Sequence, residues 1–187
     1  MDERGLSHDV PLLRRRRMLG LSGGTTVAVL AGSLSCEAAA LVRSDIRRSF
    51  GTAKGVARGL PLTIDLRVVG AAGGRPAAGL AVYLWHADRD GNYSLYSPGL
   101  TGENYLRGVQ PTDAAGRAVF TSVFPANGIV HYEIYPGVAQ ATKATGLLLS
   151  GRLPLQASPA YAYVGGAIGV VPSSVRGGPK VALTLAV

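Results

Sequence analysis

The sequence predicts an all-β protein, an antiparallel β-sandwich of about seven or eight short strands preceded by a signal leader. Three observations predict it. Segments of five to nine residues alternate apolar and polar side chains with a period of two, as in Leu62, Ile64, Leu66 and Val68. Turn formers separate those segments, and the chain carries 26 Gly and 11 Pro. No stretch after the leader has a strong helical period, apart from a short one at Val138 to Thr145.

The leader occupies residues 1–36. Residues 1–13 are polar to mixed, and Arg14-Arg15-Arg16-Arg17-Met18-Leu19 then fits the twin-arginine pattern of an arginine pair, a variable residue and two apolar ones. Leu19 to Leu34 is apolar but diluted by Gly, Ser and Thr, too short and too mild to span a membrane. Export is therefore expected, to the periplasm, cell surface or medium. Two processing routes stay open. Ser33-Leu34-Ser35-Cys36 approximates a lipoprotein box, and Ala38-Ala39-Ala40 offers a plain peptidase site. Membrane attachment is expected only if Cys36 is lipidated.

Residues 37–60 read as an extended arm containing Gly and Arg, and residues 61–187 as the sandwich. Its strands are expected at Pro61 to Val69, Ala81 to His86, Tyr105 to Gln110, Ala118 to Val123, Ile129 to Tyr135 and Lys180 to Val187, with weaker ones in Gly146 to Leu155 and Tyr161 to Val171. Asp88-Arg89-Asp90-Gly91 is a turn, and a looser loop from Asn92 to Glu103 carries Tyr93 and Tyr96. In Ile129 to Tyr135 the period places Ile129, His131, Glu133 and Tyr135 on one face and Val130, Tyr132 and Ile134 on the other.

Composition removes several function classes. The net charge is +8, but the dense basic run lies in the leader, and no basic stripe interleaved with aromatics follows it, so no nucleic-acid partner is expected. One cysteine forbids an internal disulfide. The three histidines, His8, His86 and His131, come with no Cys pair and no His-x-x-x-His, which leaves zinc without a motif. There is no Gly-x-Ser-x-Gly elbow and no Gly-rich phosphate loop opening a helix. What remains is a set of tyrosines and histidines near strand ends. Such tyrosines commonly pack a core or rim; tyrosinate with imidazole also suits ferric iron.

The order of the strings favours the second reading. Val82-Tyr83-Leu84-Trp85-His86-Ala87-Asp88-Arg89-Asp90-Gly91-Asn92-Tyr93-Ser94 resembles the intradiol ring-cleavage dioxygenases. So do Glu103 to Asp113, Gly116, Phe120 to Pro125 and His131-Tyr132-Glu133-Ile134-Tyr135-Pro136. Upstream, Leu41-Val42-Arg43-Ser44-Asp45-Ile46-Arg47 is similar to the segment before the first strand in exported members, and the resemblance runs from residue 41 to about 143. It implies a β-sandwich, a cofactor of non-haem Fe(III) held by two tyrosines and two histidines, and opening of a catechol-like aromatic substrate by dioxygen. Tyr93, after the Asp-x-x-Gly turn, matches the first ligand tyrosine, and His131 matches the last ligand histidine.

The same resemblance marks what is absent. Between Pro125 and His131 the chain is about five residues short of the family's loop. The second tyrosine and the active-site arginine have no counterpart, and the first histidine of the family's pair falls on Ile129. Tyr96 and Tyr105 stay open as substitutes, whereas Tyr132 lies on the face opposite His131. His86 matches a family histidine that is not a ligand. Two functions follow as expectations: a dioxygenase with an incomplete iron site, its iron liable to be lost, or a non-catalytic exported sandwich that binds an aromatic, a glycan or a protein.

Overall fold

The computed structural model describes residues 4–19, 39–157, 162–164, 170–171 and 180–187. The cleavage region around Cys36 lies outside them. Among the described residues nine strands form: β1 (Pro61–Val69), β2 (Ala81–His86), β3 (Arg107–Pro111), β4 (Arg117–Val123), β5 (Ile129–Tyr135), β6 (Leu149–Ala157), β7 (Ala162–Val164), β8 (Val170–Val171) and β9 (Lys180–Ala186). The segment expected at Tyr161 to Val171 is two short strands. A single helical turn, Val138–Ala141, follows β5, and a helix α1 (Leu6–Leu19) precedes everything.

The strands make two sheets, one ordered β4-β1-β9-β8 and the other β3-β2-β5-β6-β7. All pairs are antiparallel except β1–β9, which runs parallel with Thr63 opposite Lys180 and Val69 opposite Ala186. A parallel pair needs a long crossover, and here the whole intervening domain supplies it. The alternation read from the sequence becomes the core. Leu62, Ile64, Leu66 and Val68 from β1, Ala118 and Phe120 from β4, and Val181, Leu183 and Leu185 from β9 face Val82, Leu84, Val130, Tyr132, Ile134, Leu153 and Leu155 from the other sheet.

The residues before β1 clasp the two sheets. Val42 bridges to Val109 on β3 and Asp45 to Thr121 on β4. Arg43 ties this clasp to the next layer, its Nε donating to the Arg107 carbonyl at 2.9 Å and its Nη2 to that of Asn104 at 3.0 Å. Burial lowers the Arg43 pKa to about 10, against the opposing pull of Tyr83 and Asp45. Gly116 turns the chain into β4 with φ of +74°, and a Cβ there would strike the Val68 carbonyl.

β2 is buried along its whole length and β5 at all but its first residue. Strands in a two-layer sandwich normally leave one face to water, so a second layer covers this sheet from outside. That layer consists of the Tyr93 to Asn104 loop, residues near Leu41, and α1, whose Leu6, Val10 and Leu13 are buried with Trp85, Tyr93, Leu95 and Tyr135. The helical packing of this segment was not expected from its mixed polar sequence.

Candidate functional site on the outer sheet face

Strand geometry builds the floor. Tyr83 and Trp85 are two apart on β2 and share its outer face, while β5 sets Glu133 opposite Tyr83 and His131 opposite Trp85. The aromatic rings stack in a ladder. Tyr83 and Trp85 are 5.1 Å apart between centroids, and so are Trp85 and His131, with interplanar angles of 20° and 16°. β3 adds Arg107 opposite Trp85 and Val109 opposite Tyr83.

A turn delivers Tyr93 onto that floor. The Asp88 carboxylate accepts from the backbone N–H groups of Asp90 and Asn92, both at 2.9 Å, and Gly91 takes φ of +85°. Beyond the turn the Ser97 hydroxyl accepts from the Tyr93 N–H at 2.9 Å. The phenol oxygen then stands 3.3 Å from His131 Nε2 and accepts from Asn127 Nδ2 at 3.2 Å. Asn127 is held by its own turn, its Oδ1 accepting from the Ile129 N–H at 3.0 Å. Tyr93 and His131, 38 residues apart in sequence, are thus brought together and buried.

The donor set does not make the four-ligand ferric centre that the resemblance implies. Two donors about 2 Å from one ion and at right angles stand about 3 Å apart, so the Tyr93–His131 pair fits two corners. Nothing described supplies the others. Tyr105 donates to Asp88 at 3.2 Å, and burial together with the Asp88 charge pushes its phenol up to about 12. Tyr96 donates to Asp9. Tyr132 belongs to the inter-sheet core. Ile129 contributes an alkyl chain where the resemblance implies an imidazole. Among the described residues no group of three or more His, Cys, Asp or Glu is arranged to hold a metal ion.

His86 is bound up elsewhere. Its Nδ1 is 2.7 Å from the Ala87 carbonyl, which only accepts, so that nitrogen carries the proton and Nε2 accepts from the Ser122 hydroxyl at 2.6 Å. The contact joins β2 to β4 across the sandwich. Burial lowers the His86 pKa to about 4.

Beside Tyr93 lies a polar cluster that sequence reasoning missed. Asp9 on α1 is fully buried and pairs with the equally buried Arg107, and it accepts from the hydroxyls of Tyr83 and Tyr96. Burial works against the Arg107 charge, but Asp9 and the two phenols hold its pKa above the ordinary guanidinium range. Burial, then the Asp9 charge, drive the Tyr83 phenol well above its usual value. Glu133 accepts from the Leu6 N–H at 2.9 Å and from the Tyr135 hydroxyl at 2.8 Å, supplying a carboxylate to the start of α1. A signal for part of this was in the sequence: Tyr83, Trp85, His131, Glu133 and Tyr135 fall on one face once β2 and β5 are paired. Asp9 had none, because nothing local links it to a strand.

Residues 36–147, more than half of the chain, match the family profile Dioxygenase_C, described as "Dioxygenase". A chlorocatechol 1,2-dioxygenase of Rhodococcus opacus is 39% identical over 61 residues, 33% of this chain and 22% of that protein, so the match spans well under half of the curated relative. An intradiol ring-cleavage dioxygenase from Tetranychus urticae is 26% identical over 51% of each chain with a TM-score of 0.42. The dioxygenase domain of a dioxygenase–carbohydrate-binding fusion from Streptomyces sp. SirexAA-E is 20% identical over 78% of this chain and 88% of that one, with a TM-score of 0.47. With its ordered strings, its two-sheet architecture and this profile match, the chain belongs to the intradiol dioxygenase family.

Proposed function

We propose that this chain is an exported intradiol-dioxygenase-type protein whose ring-opening activity is impaired. One observation carries the reading: Tyr93 and His131 meet at 3.3 Å, while the remaining described tyrosines of the region are committed to Asp9, Asp88, Glu133 or the core. A ferric ion held by one phenolate and one imidazole lacks the closed shell that retains it, so affinity falls steeply. The test is to purify the protein in the presence of ferric iron, record its visible spectrum and assay oxygen uptake with catechol. The expected protein is colourless and poor in iron, consumes oxygen no faster than iron salt alone, and is unchanged in all three respects by Tyr93→Phe. A burgundy protein with stoichiometric iron and catechol turnover, all lost in Tyr93→Phe, would sink the reading.

A second reading is favoured by the stacked ladder of Tyr83, Trp85 and His131. It is a non-catalytic sandwich that binds an aromatic ligand on this face, with a catechol-like ring as one candidate. Trp85 is the single tryptophan of the chain, so its fluorescence reports on the ladder alone. Saturable change of that fluorescence on adding catechol without iron supports binding; a flat titration removes it.

Export rests on the arginine run at residues 14–17. Replacing all four by lysine is expected to retain the protein in the cytoplasm, read by fractionation; unchanged export would exclude the twin-arginine route.

A further inference from the structure

We propose that the recess occupied by the first turns of α1 is a binding site for an aromatic carboxylate, with Arg107 and the hydroxyls of Tyr83 and Tyr96 receiving the carboxylate and Asp9 as its intrachain occupant. The proposal rests on the binding reading above and is independent of ring opening and of iron.

The receptor is built into the sheet. Arg107 projects from β3 and is held by the Ser94 hydroxyl at 3.1 Å and the Ser94 carbonyl at 2.8 Å, which fix its Nε and Nη2. The Nη1 corner turns to Asp9 and sits 3.3 Å from the Tyr83 hydroxyl. The Arg107 guanidinium also lies 5.1 Å from the Tyr96 ring centroid. A guanidinium corner with two phenol donors converging on one carboxylate is a charge-assisted anion receptor. Its donors come from β2, β3 and the loop after Tyr93, so the domain itself holds them in place.

The occupant, by contrast, comes from the segment read as a leader. Asp9 and Arg107 are 0% and 1% exposed. If α1 departs, Arg107 keeps its serine contacts and loses its counter-charge, which leaves a positioned guanidinium and two phenol donors without their carboxylate. The surroundings say what else the anion carries. Leu6, Val10 and Leu13 lie in one apolar cluster with Trp85, Tyr93 and Tyr135, and Tyr83 and Trp85 form a stacked floor beside Arg107. A planar apolar body bearing a carboxylate meets the same partners that α1 meets. The tethered Asp9 competes with any such ligand, and lowers its apparent affinity by the fraction of time the recess is filled.

The test uses the full chain and its Asp9→Ala variant, with sodium benzoate as the probe and benzamide as its neutral counterpart. Without iron, benzoate should raise the melting temperature of Asp9→Ala and change its Trp85 fluorescence, at least tenfold more tightly than benzamide and at least tenfold more tightly than it binds the unsubstituted chain. Equal response to benzoate and benzamide overturns the carboxylate assignment while leaving aromatic binding intact. No response to either overturns both. Should Asp9→Ala fail to fold, amide hydrogen exchange on the unsubstituted chain decides the question. Benzoate should raise exchange at residues 6–13 several-fold and benzamide should not, and unchanged exchange at high benzoate overturns the proposal.

Discussion

His86 shows how a single side chain ties stability to pH. It is buried, neutral and hydrogen-bonded through both nitrogens, with its pKa lowered to about 4 from an ordinary 6.5. The unfolded chain therefore takes up a proton near pH 6.5 that the folded chain refuses until near pH 4. Stability from this group is complete above pH 6.5 and is lost as pH falls toward 4, a change on the order of 3 kcal/mol. Denaturant titrations at pH 7 and pH 4.5 should show that loss, and His86→Gln should flatten it while lowering stability at pH 7. An equal slope in the variant would assign the pH dependence elsewhere. Asp65 adds a separate acid-side contribution. Burial opposes its ionisation, but Arg117 and Lys180, the latter at 2.8 Å, hold its pKa below the usual value, so that its share is lost only in stronger acid.

Legibility divides along the elements. The strands were readable because each buries one face and the period survives burial: Leu62, Ile64, Leu66 and Val68 are 1%, 0%, 0% and 0% exposed. Leu66→Ala is expected to cost about 2–5 kcal/mol, seen as a lower denaturation midpoint with α1 still docked. Tyr93 and His131 were readable through the strings around them. The cover over the site was not. It is made by Asp9, a lone acid in a mixed segment, and by a loop whose Leu95 takes φ of +75°, a conformation that leucine does not advertise. Gly5 is the sharpest example. A Cβ there would overlap the Glu133 carboxylate, which is pinned by Leu6 and Tyr135. Gly5→Ala should therefore break the seat of α1 at a cost of about 1–3 kcal/mol, with faster exchange at residues 6–13 and unchanged protection in β1 and β5.

At the scale of the molecule the two sheets differ in what they do. The β4-β1-β9-β8 sheet contributes core and little else, whereas β3-β2-β5-β6-β7 presents Tyr83, Trp85, Arg107, His131 and Glu133 on its outer face, where the loop brings Tyr93 to meet them. A family scaffold is thus retained in its layers, and fold alone does not decide activity. Removing residues 180–187 should abolish cooperative unfolding, read by circular dichroism, because β9 lies between β1 and β8.

That placement of β9 also sets a clock. β1 waits for its parallel neighbour until nearly the whole domain has been synthesised, with Thr63 paired to Lys180. Until then one edge of β1 stays open, and an open edge invites pairing with other chains. Long-range pairings of this kind also close slowly. Closure of the sandwich therefore has to follow synthesis of β9, and up to that point the nascent chain carries an exposed strand edge beside β1.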